Sequence, residues 1–327
     1  MTWLDTEHRS FETCFRWTRP SGEGSRYTGA RHRRHQRAIG YGWRLRRAFS
    51  VLCQAGHTRW EAMREATQEA AELALEMGDP LAYAISQLDR AEVASGQGDH
   101  DTGHERALTA LYVLDHLEDV DDRWLARAHR AAGANLYRRG DLDDGRAEIE
   151  TAVRIFTDHE DRWWQVRALC NLAEVYRFQG HHVRAFDLLD NAQDLLVGSQ
   201  NVPEQWARVQ LQIGEVLRLR GFALHAWFVL EAEREFTRIG DDWGRWRTCL
   251  VLGQVRMAHD RRLGKEEMLR AAKGFLALGT RGGTPAPTDW RRSHSRRRDG
   301  STRRRSWRES RSRGTGDRTT VPGNCGR

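Results

Sequence analysis

Lysine is nearly missing from this 327-residue chain: of 53 basic residues only Lys265 and Lys273 are lysine, and the rest are arginine. The skew fits a gene rich in G and C, because most arginine codons begin with CG, so arginine frequency alone carries no functional message. Proline is scarce too, and between residues 61 and 280 only Pro80 and Pro203 occur. The five cysteines, Cys14, Cys53, Cys170, Cys249 and Cys325, stand singly with no C-x-x-C pair. That spacing excludes a disulfide framework and a Cys-rich zinc site. No run of ~18 apolar residues exists to cross a bilayer. The first residues, MTWLDTEHRSFETCFRW, mix charges with aromatics where a secretory signal needs an apolar stretch. A cytoplasmic, reduced protein without membrane contact is expected.

Charge is divided by region. Residues 1–60 are net +8, residues 61–280 net −11, and residues 281–327 net +10, giving +7 overall. The acidic middle is built from Ala, Leu, Glu and Arg, which are good helix formers. Its apolar residues recur at spacings of three and four, and no alternating β-branched run suggests a sheet. The segments also resemble one another. AAGANLYRRGDLDDGRAEIETAVRIF (131–156), NLAEVYRFQGHHVRAFDLLDNAQDLL (171–196) and QIGEVLRLRGFALHAWFVLEAEREF (212–236) each read as helix, glycine turn, helix. The turn glycines Gly98, Gly140, Gly180 and Gly221 are spaced 42, 40 and 41 residues apart. A fixed period in this range marks a solenoid.

These units resemble the tetratricopeptide repeat (TPR) family, whose helix–turn–helix unit carries small residues at positions 8, 20 and 27 and a large apolar residue at 24. Position 8 is Ala91, Gly133, Ala173, Gly214 and Gly253. Position 20 is Gly103, Gly145, Ala185, Ala226 and Lys265, position 24 is Ala107, Ile149, Leu189, Leu230 and Leu269, and position 27 is Ala110, Ala152, Ala192, Glu233 and Ala272. Small residues let paired backbones approach closely. The family's Trp at position 4 and its closing proline are absent, and the period is ~41 rather than the usual 34. A separate series, Trp124, Trp164, Trp206 and Trp246, recurs near the start of each first helix and reads as packing between units.

The resemblance implies an all-α, right-handed α-solenoid. Long-period units of this kind look most like the TPR arms of actinobacterial signal-transduction ATPases and antibiotic-regulatory proteins. WLDTEHRSFETCFRW (3–17) resembles the W-L-D-x-E-x-x-N-L segment that precedes such an arm, with Ser10-Phe11 where Asn-Leu is usual. The expected organisation is a helix over 1–18, a basic loop over 19–40 and a degenerate first unit over 41–80, its first helix near Tyr41–Leu52. Five TPR units follow over 81–280, then an Arg-rich tail over 281–327.

That tail has almost no aliphatic residues and cannot offset chain entropy by burial, so it is expected to be disordered in isolation. Two readings of it stay open. Its arginines with Trp290 and Trp307 suit phosphates and stacked bases, or it is the out-of-frame end of a GC-rich gene.

Signs of chemistry are sparse. The lone Gly264-Lys265 lacks the rest of a phosphate-binding loop, so no cofactor is expected. His100-x-x-x-His104 has helical metal-pair spacing but begins in a turn, and no nucleophile motif occurs. The chain is therefore read as non-enzymatic. In the TPR family, positions 2, 5, 9, 12 and 13 face a concave groove. Here position 2 gives Arg127, Arg167, Arg208 and Arg247, position 12 gives Arg177 and Arg218, and position 9 gives Glu174 and Glu215. The planar fork of arginine grips carboxylates bidentately. The expected function is a protein–protein interaction module in transcriptional or signalling control, its groove holding a partner with an acidic segment; self-association is also compatible. The competing reading is nonspecific nucleic-acid binding through the Arg-rich ends. Against the groove reading stands a solvated face on which these Arg and Glu pair with each other.

Overall fold

The computed structural model describes residues 30–55, 60–197, 202–221, 225–257 and 260–278. All of them lie in one compact unit, Met1–Thr284. The expectations for residues 1–29 and 281–327 fall outside the described residues.

Twelve α-helices and no strand occur among the described residues. They are α1 Ala30–Ala55, α2 Trp60–Met77, α3 Pro80–Gly96, α4 His100–Asp115, α5 Asp122–Arg139 and α6 Leu142–Asp158. They continue with α7 Arg162–Phe178, α8 His182–Leu196, α9 Pro203–Leu219, α10 His225–Ile239, α11 Asp242–Arg256 and α12 Arg261–Ala277. The first helix starts at Ala30, not near Tyr41, so part of the stretch expected as a loop is helical. The sequence permits this, because Pro20 and the glycines at 22, 24 and 29 lie upstream and ARHRRHQRA has no breaker.

Local signals set the helix ends. Gly98 (φ 80°) and Gly140 (φ 98°) take the left-handed backbone that closes a first helix. Aspartates then open many of the helices that follow. The N–H of Ala82 donates to Asp79, that of Thr102 to Asp99, that of Trp164 to Asp161 and that of Gly244 to Asp241, at 2.9–3.2 Å.

Consecutive helices pair as hairpins, and every odd-numbered helix also touches the next odd-numbered one. The first helices therefore form one inner layer. Apolar clusters link the hairpins. One joins Ala126, Ala134 and Tyr137 of α5, Ile149, Ala152 and Phe156 of α6, and Ala168, Leu172 and Val175 of α7. Another repeats this arrangement across α7, α8 and α9. The core is thus a chain of small shared clusters, as a solenoid requires.

The hairpins close through glycine. A Cβ on Gly145 would lie 2.9 Å from the Tyr137 nitrogen and 3.0 Å from the Gly133 carbonyl oxygen. The same contact recurs in the last hairpin, where a Cβ on Gly264 would lie 2.6 Å from the Met257 nitrogen and 2.8 Å from the Gly253 carbonyl oxygen. This corrects the register of the last two units. In α10 the buried residues are Val229, Ala232 and Phe236, while Leu230 is 42% exposed. In α12 they are Gly264, Glu267, Ala271, Gly274 and Phe275, while Leu269 is 53% exposed. In these two hairpins the buried second-helix positions therefore come one residue earlier than the repeat count assumed.

Gly264→Ala is expected to destabilise the array by about 1–3 kcal/mol, because its Cβ meets backbone that cannot yield. Lys265→Ala should stay within about 0.5 kcal/mol. Urea unfolding followed by circular dichroism separates the two; equal costs would restore the original register.

Candidate functional site

All eight residues singled out from the sequence lie on the inner layer: Arg127 on α5, Arg167, Glu174 and Arg177 on α7, Arg208, Glu215 and Arg218 on α9, and Arg247 on α11. Helix spacing accounts for this. Positions 2, 9 and 12 are seven and three residues apart and so share a face. The structure divides these residues into two groups.

The first group is closed upon itself. Glu174 is 3% exposed. It accepts from Arg247 Nη2 at 2.9 Å and from the Tyr137 hydroxyl, with Arg138 and Arg177 each 4.0 Å away. Glu215 lies 3.3 Å from Arg247 and 3.9 Å from Arg177. Burial alone would push the Glu174 carboxyl up. Arg247, Arg138 and Arg177, with the Tyr137 hydrogen bond, outweigh it and hold the group at about 2. Burial likewise opposes the charge on Arg247, but Glu215 and Glu174 raise it above the ordinary value. These two carboxylates tie α7, α9 and α11 together, α5 joining through Tyr137 and Arg138.

The second group is open. Arg167 forms no salt bridge among the described residues; its guanidinium carbon lies 5.1 Å from the Trp163 ring centre and 5.0 Å from that of Trp164. Arg127 and Arg130 reach the same Trp164 ring at 4.3 and 5.0 Å. Three guanidinium groups therefore converge on one indole. Burial and the field of Arg208 lower Arg167 to about 10, and burial lowers Arg127 to about 10 against the pull of Asp89. Arg130, 4% exposed, is lowered well below the ordinary range by burial and by Arg167, Arg138 and Arg208. Arg127 and Arg167 stay protonated near neutrality, and Arg130 is held by Glu92. Asp89 is shared between Arg47 at 3.1 Å and Arg127 at 3.8 Å, and Arg208 takes Glu204 at 2.9 Å. The Nε atoms of Arg127, Arg130, Arg177, Arg208 and Arg218 are buried with no hydrogen-bond partner, although Arg218 Nη2 donates to Gln254 at 3.1 Å.

Sequence reasoning missed Arg130, Arg138 and Arg47, gave Tyr137 no role, and read Trp124 and Trp164 as packing between units alone. The signal was present: Trp124 and Arg127, and Trp164 and Arg167, are three residues apart on one helix face. Arg47, from α1, bridges Trp43 at 5.7 Å and Trp124 at 5.3 Å, and Arg127 continues from Trp124 at 4.7 Å. Arginine and tryptophan thus alternate across α1, α5 and α7. The four-membered Trp series is not uniform. Trp206 and Trp246 stand two and one residues before their arginines, and so on other faces; Trp246 lies against Gly274 of α12.

His100 does not join His104: its Nδ1 lies 3.4 Å from Asn135 Oδ1. Among the described residues no group of three or more metal-binding side chains occurs, and no helix is long and apolar enough to cross a membrane.

The depressed Glu174 carboxyl gives a pH prediction. Its folded value lies below its unfolded one, so its contribution is present above about pH 4.5 and disappears as pH falls towards 2. Glu174→Gln should cost on the order of 3 kcal/mol at neutral pH, having broken a buried pair. Denaturant titrations of both proteins should converge as pH drops through that window; a constant difference would contradict the network.

No family model matches the chain, and no curated protein matches it. Solved structures do. Apo RapI is 12% identical with a TM-score of 0.59, over 82% of this chain and 99% of that one. The Rap conjugation gene regulator of plasmid pLS20, in complex with the Phr* peptide, is 12% identical with a TM-score of 0.59, over 97% and 89%. BtubC from P. vanneervenii is 17% identical with a TM-score of 0.50, over 70% and 96%. The chain has the TPR-like helical-repeat fold these proteins share.

Proposed function

We propose that the protein is a non-catalytic interaction module that holds a peptide segment of a protein partner in the groove of its odd-numbered helices, in cytoplasmic transcriptional or signalling control. The observation that carries this reading is the concentration of buried guanidinium Nε donors without hydrogen-bond partners on that face, five of the seven found among the described residues, the other two being Arg106 and Arg146 on α4 and α6. A folded chain rarely leaves several such groups unsatisfied unless something else meets them. The similarly folded Rap regulator is named as a complex with a peptide, which supports the same use of this architecture. The regulatory role rests on the resemblance of residues 3–17 and of the long-period units to actinobacterial regulators, and on nothing finer.

Charge reversal on the open part of the face is the test. Arg167→Glu with Arg208→Glu should reduce retention of random-sequence peptide pools on the immobilised full chain at least tenfold, with helical circular dichroism unchanged. Retention equal to that of the unaltered protein would defeat the groove reading. Nucleic-acid retention that depends on residues 281–327 would favour the competing one.

A further inference from the structure

Helix α12 is the last of the described helices, and its outer face differs from those of α6 and α8. Five residues after Gly145, Ala185 and Gly264 stand Glu150, Asp190 and Leu269, all exposed. The first two are the solvated charges expected there, whereas Leu269 is an aliphatic side chain 53% exposed. Leu276, 72% exposed, lies seven residues on, two turns along the same line of the helix. Lys265 and Lys273 stand four residues before and after Leu269, and Arg261 and Arg270 are exposed on the same helix. None of these four cations forms an ion pair among the described residues. The acids nearby are already engaged. Glu266 holds Arg262 at 2.9 Å, Glu267 is buried against Arg256, and Asp260 caps the N–H groups of Arg262 and Leu263.

We propose that this face of α12 docks on an anionic lipid surface, with Leu269 and Leu276 entering the acyl boundary and the cations meeting the headgroups. Exposed leucines among uncompensated Lys and Arg on one helix suit the plane of a bilayer interface, where apolar insertion and headgroup attraction act together. The long lysine stems let the amines reach outward while the leucines go in. Such a helix lies on the surface; none among the described residues is long and apolar enough to cross. The expectation of no membrane contact rested on the lack of a spanning run, which does not bear on attachment of this kind. Other occupants match the face less well. A nucleic-acid strand satisfies the cations but gives the leucines nothing apolar. A second copy docked α12 to α12 sets four unpaired cations against four more. The face belongs to the even-numbered helices and is independent of the groove.

The test uses the full chain and flotation with two kinds of vesicle, one of phosphatidylcholine alone and one of phosphatidylcholine and phosphatidylserine at seven to three. Recovery with the serine-lipid vesicles at least tenfold above that with the neutral ones is expected. Leu269→Ser with Leu276→Ser should lower it at least tenfold, and Lys265→Gln with Lys273→Gln at least threefold. All four residues are exposed, so helical circular dichroism should hold. If the leucine pair fails to fold, the lysine pair must show the loss by itself. Residues 281–327 are net +10 and attract anionic lipid by charge alone, so recovery that the leucine pair leaves unchanged overturns the proposal. No recovery with the serine-lipid vesicles overturns it as well. An oligomer in sedimentation that the leucine pair breaks into monomers assigns the face to a second copy and overturns it. Oligothymidylate binding that the leucine pair weakens as strongly does the same. None of these outcomes bears on peptide retention by the groove.

Discussion

Two backbones meeting without side chains between them set the geometry on which everything else here depends. Where Gly133 faces Gly145, and again where Gly253 faces Gly264, the helices of a hairpin touch at their main chains. That contact fixes the rotation of each first helix about its axis. It thereby decides which of its residues reach the shared apolar clusters and which reach the inner layer. Arg127, Arg167 and Arg208 share a face because each stands six residues before the small residue at the contact, Gly133, Ala173 and Gly214 respectively.

The inner layer then solves an electrostatic problem in two ways. Around Glu174 the buried charges are satisfied within the protein, which binds three consecutive hairpins to one another. Around Trp164, Asp89 and Glu92 meet Arg127 and Arg130, while at Arg167 indole faces stand where a counter-charge would be. A cation over an indole gains something on the order of 0.5–2 kcal/mol, less than a buried carboxylate would give. The two regions use the same residue types at the same repeat positions. They differ because position 9 is glutamate in the third and fourth units and alanine, Ala134, in the second.

Much of this was readable from the chain. Glycine spacing and the small residues at position 8 gave the helix pairs, and position 2 placed the arginines on the right face. The slip by one residue in α10 and α12 was not readable, because Leu230 and Leu269 are as apolar as a core position demands and sit beside Val229 and Met268. What differs is the spacing of the contacting glycines, 12 residues from Gly133 to Gly145 and 11 from Gly253 to Gly264, and such a difference does not show in a hydrophobic pattern. The division of the site was hidden for a different reason. Pairing of Arg247 with Glu174 spans 73 residues, and no local spacing encodes it. Tyr137 and Arg130 were given no role because repeat reasoning weights what recurs, and each occurs in one unit alone.

The chain's two lysines are both on α12. The positive field of the inner layer is therefore carried entirely by guanidinium groups, which acetyl transfer cannot neutralise. The level at which Arg127 and Arg167 are held still leaves them charged across the physiological range. Cells commonly tune a basic surface by capping its amines, and this surface is closed to that route. Its charge is constant, so occupancy of the groove would follow the supply of a partner and its chemical state, with the receptor itself held at a fixed setting.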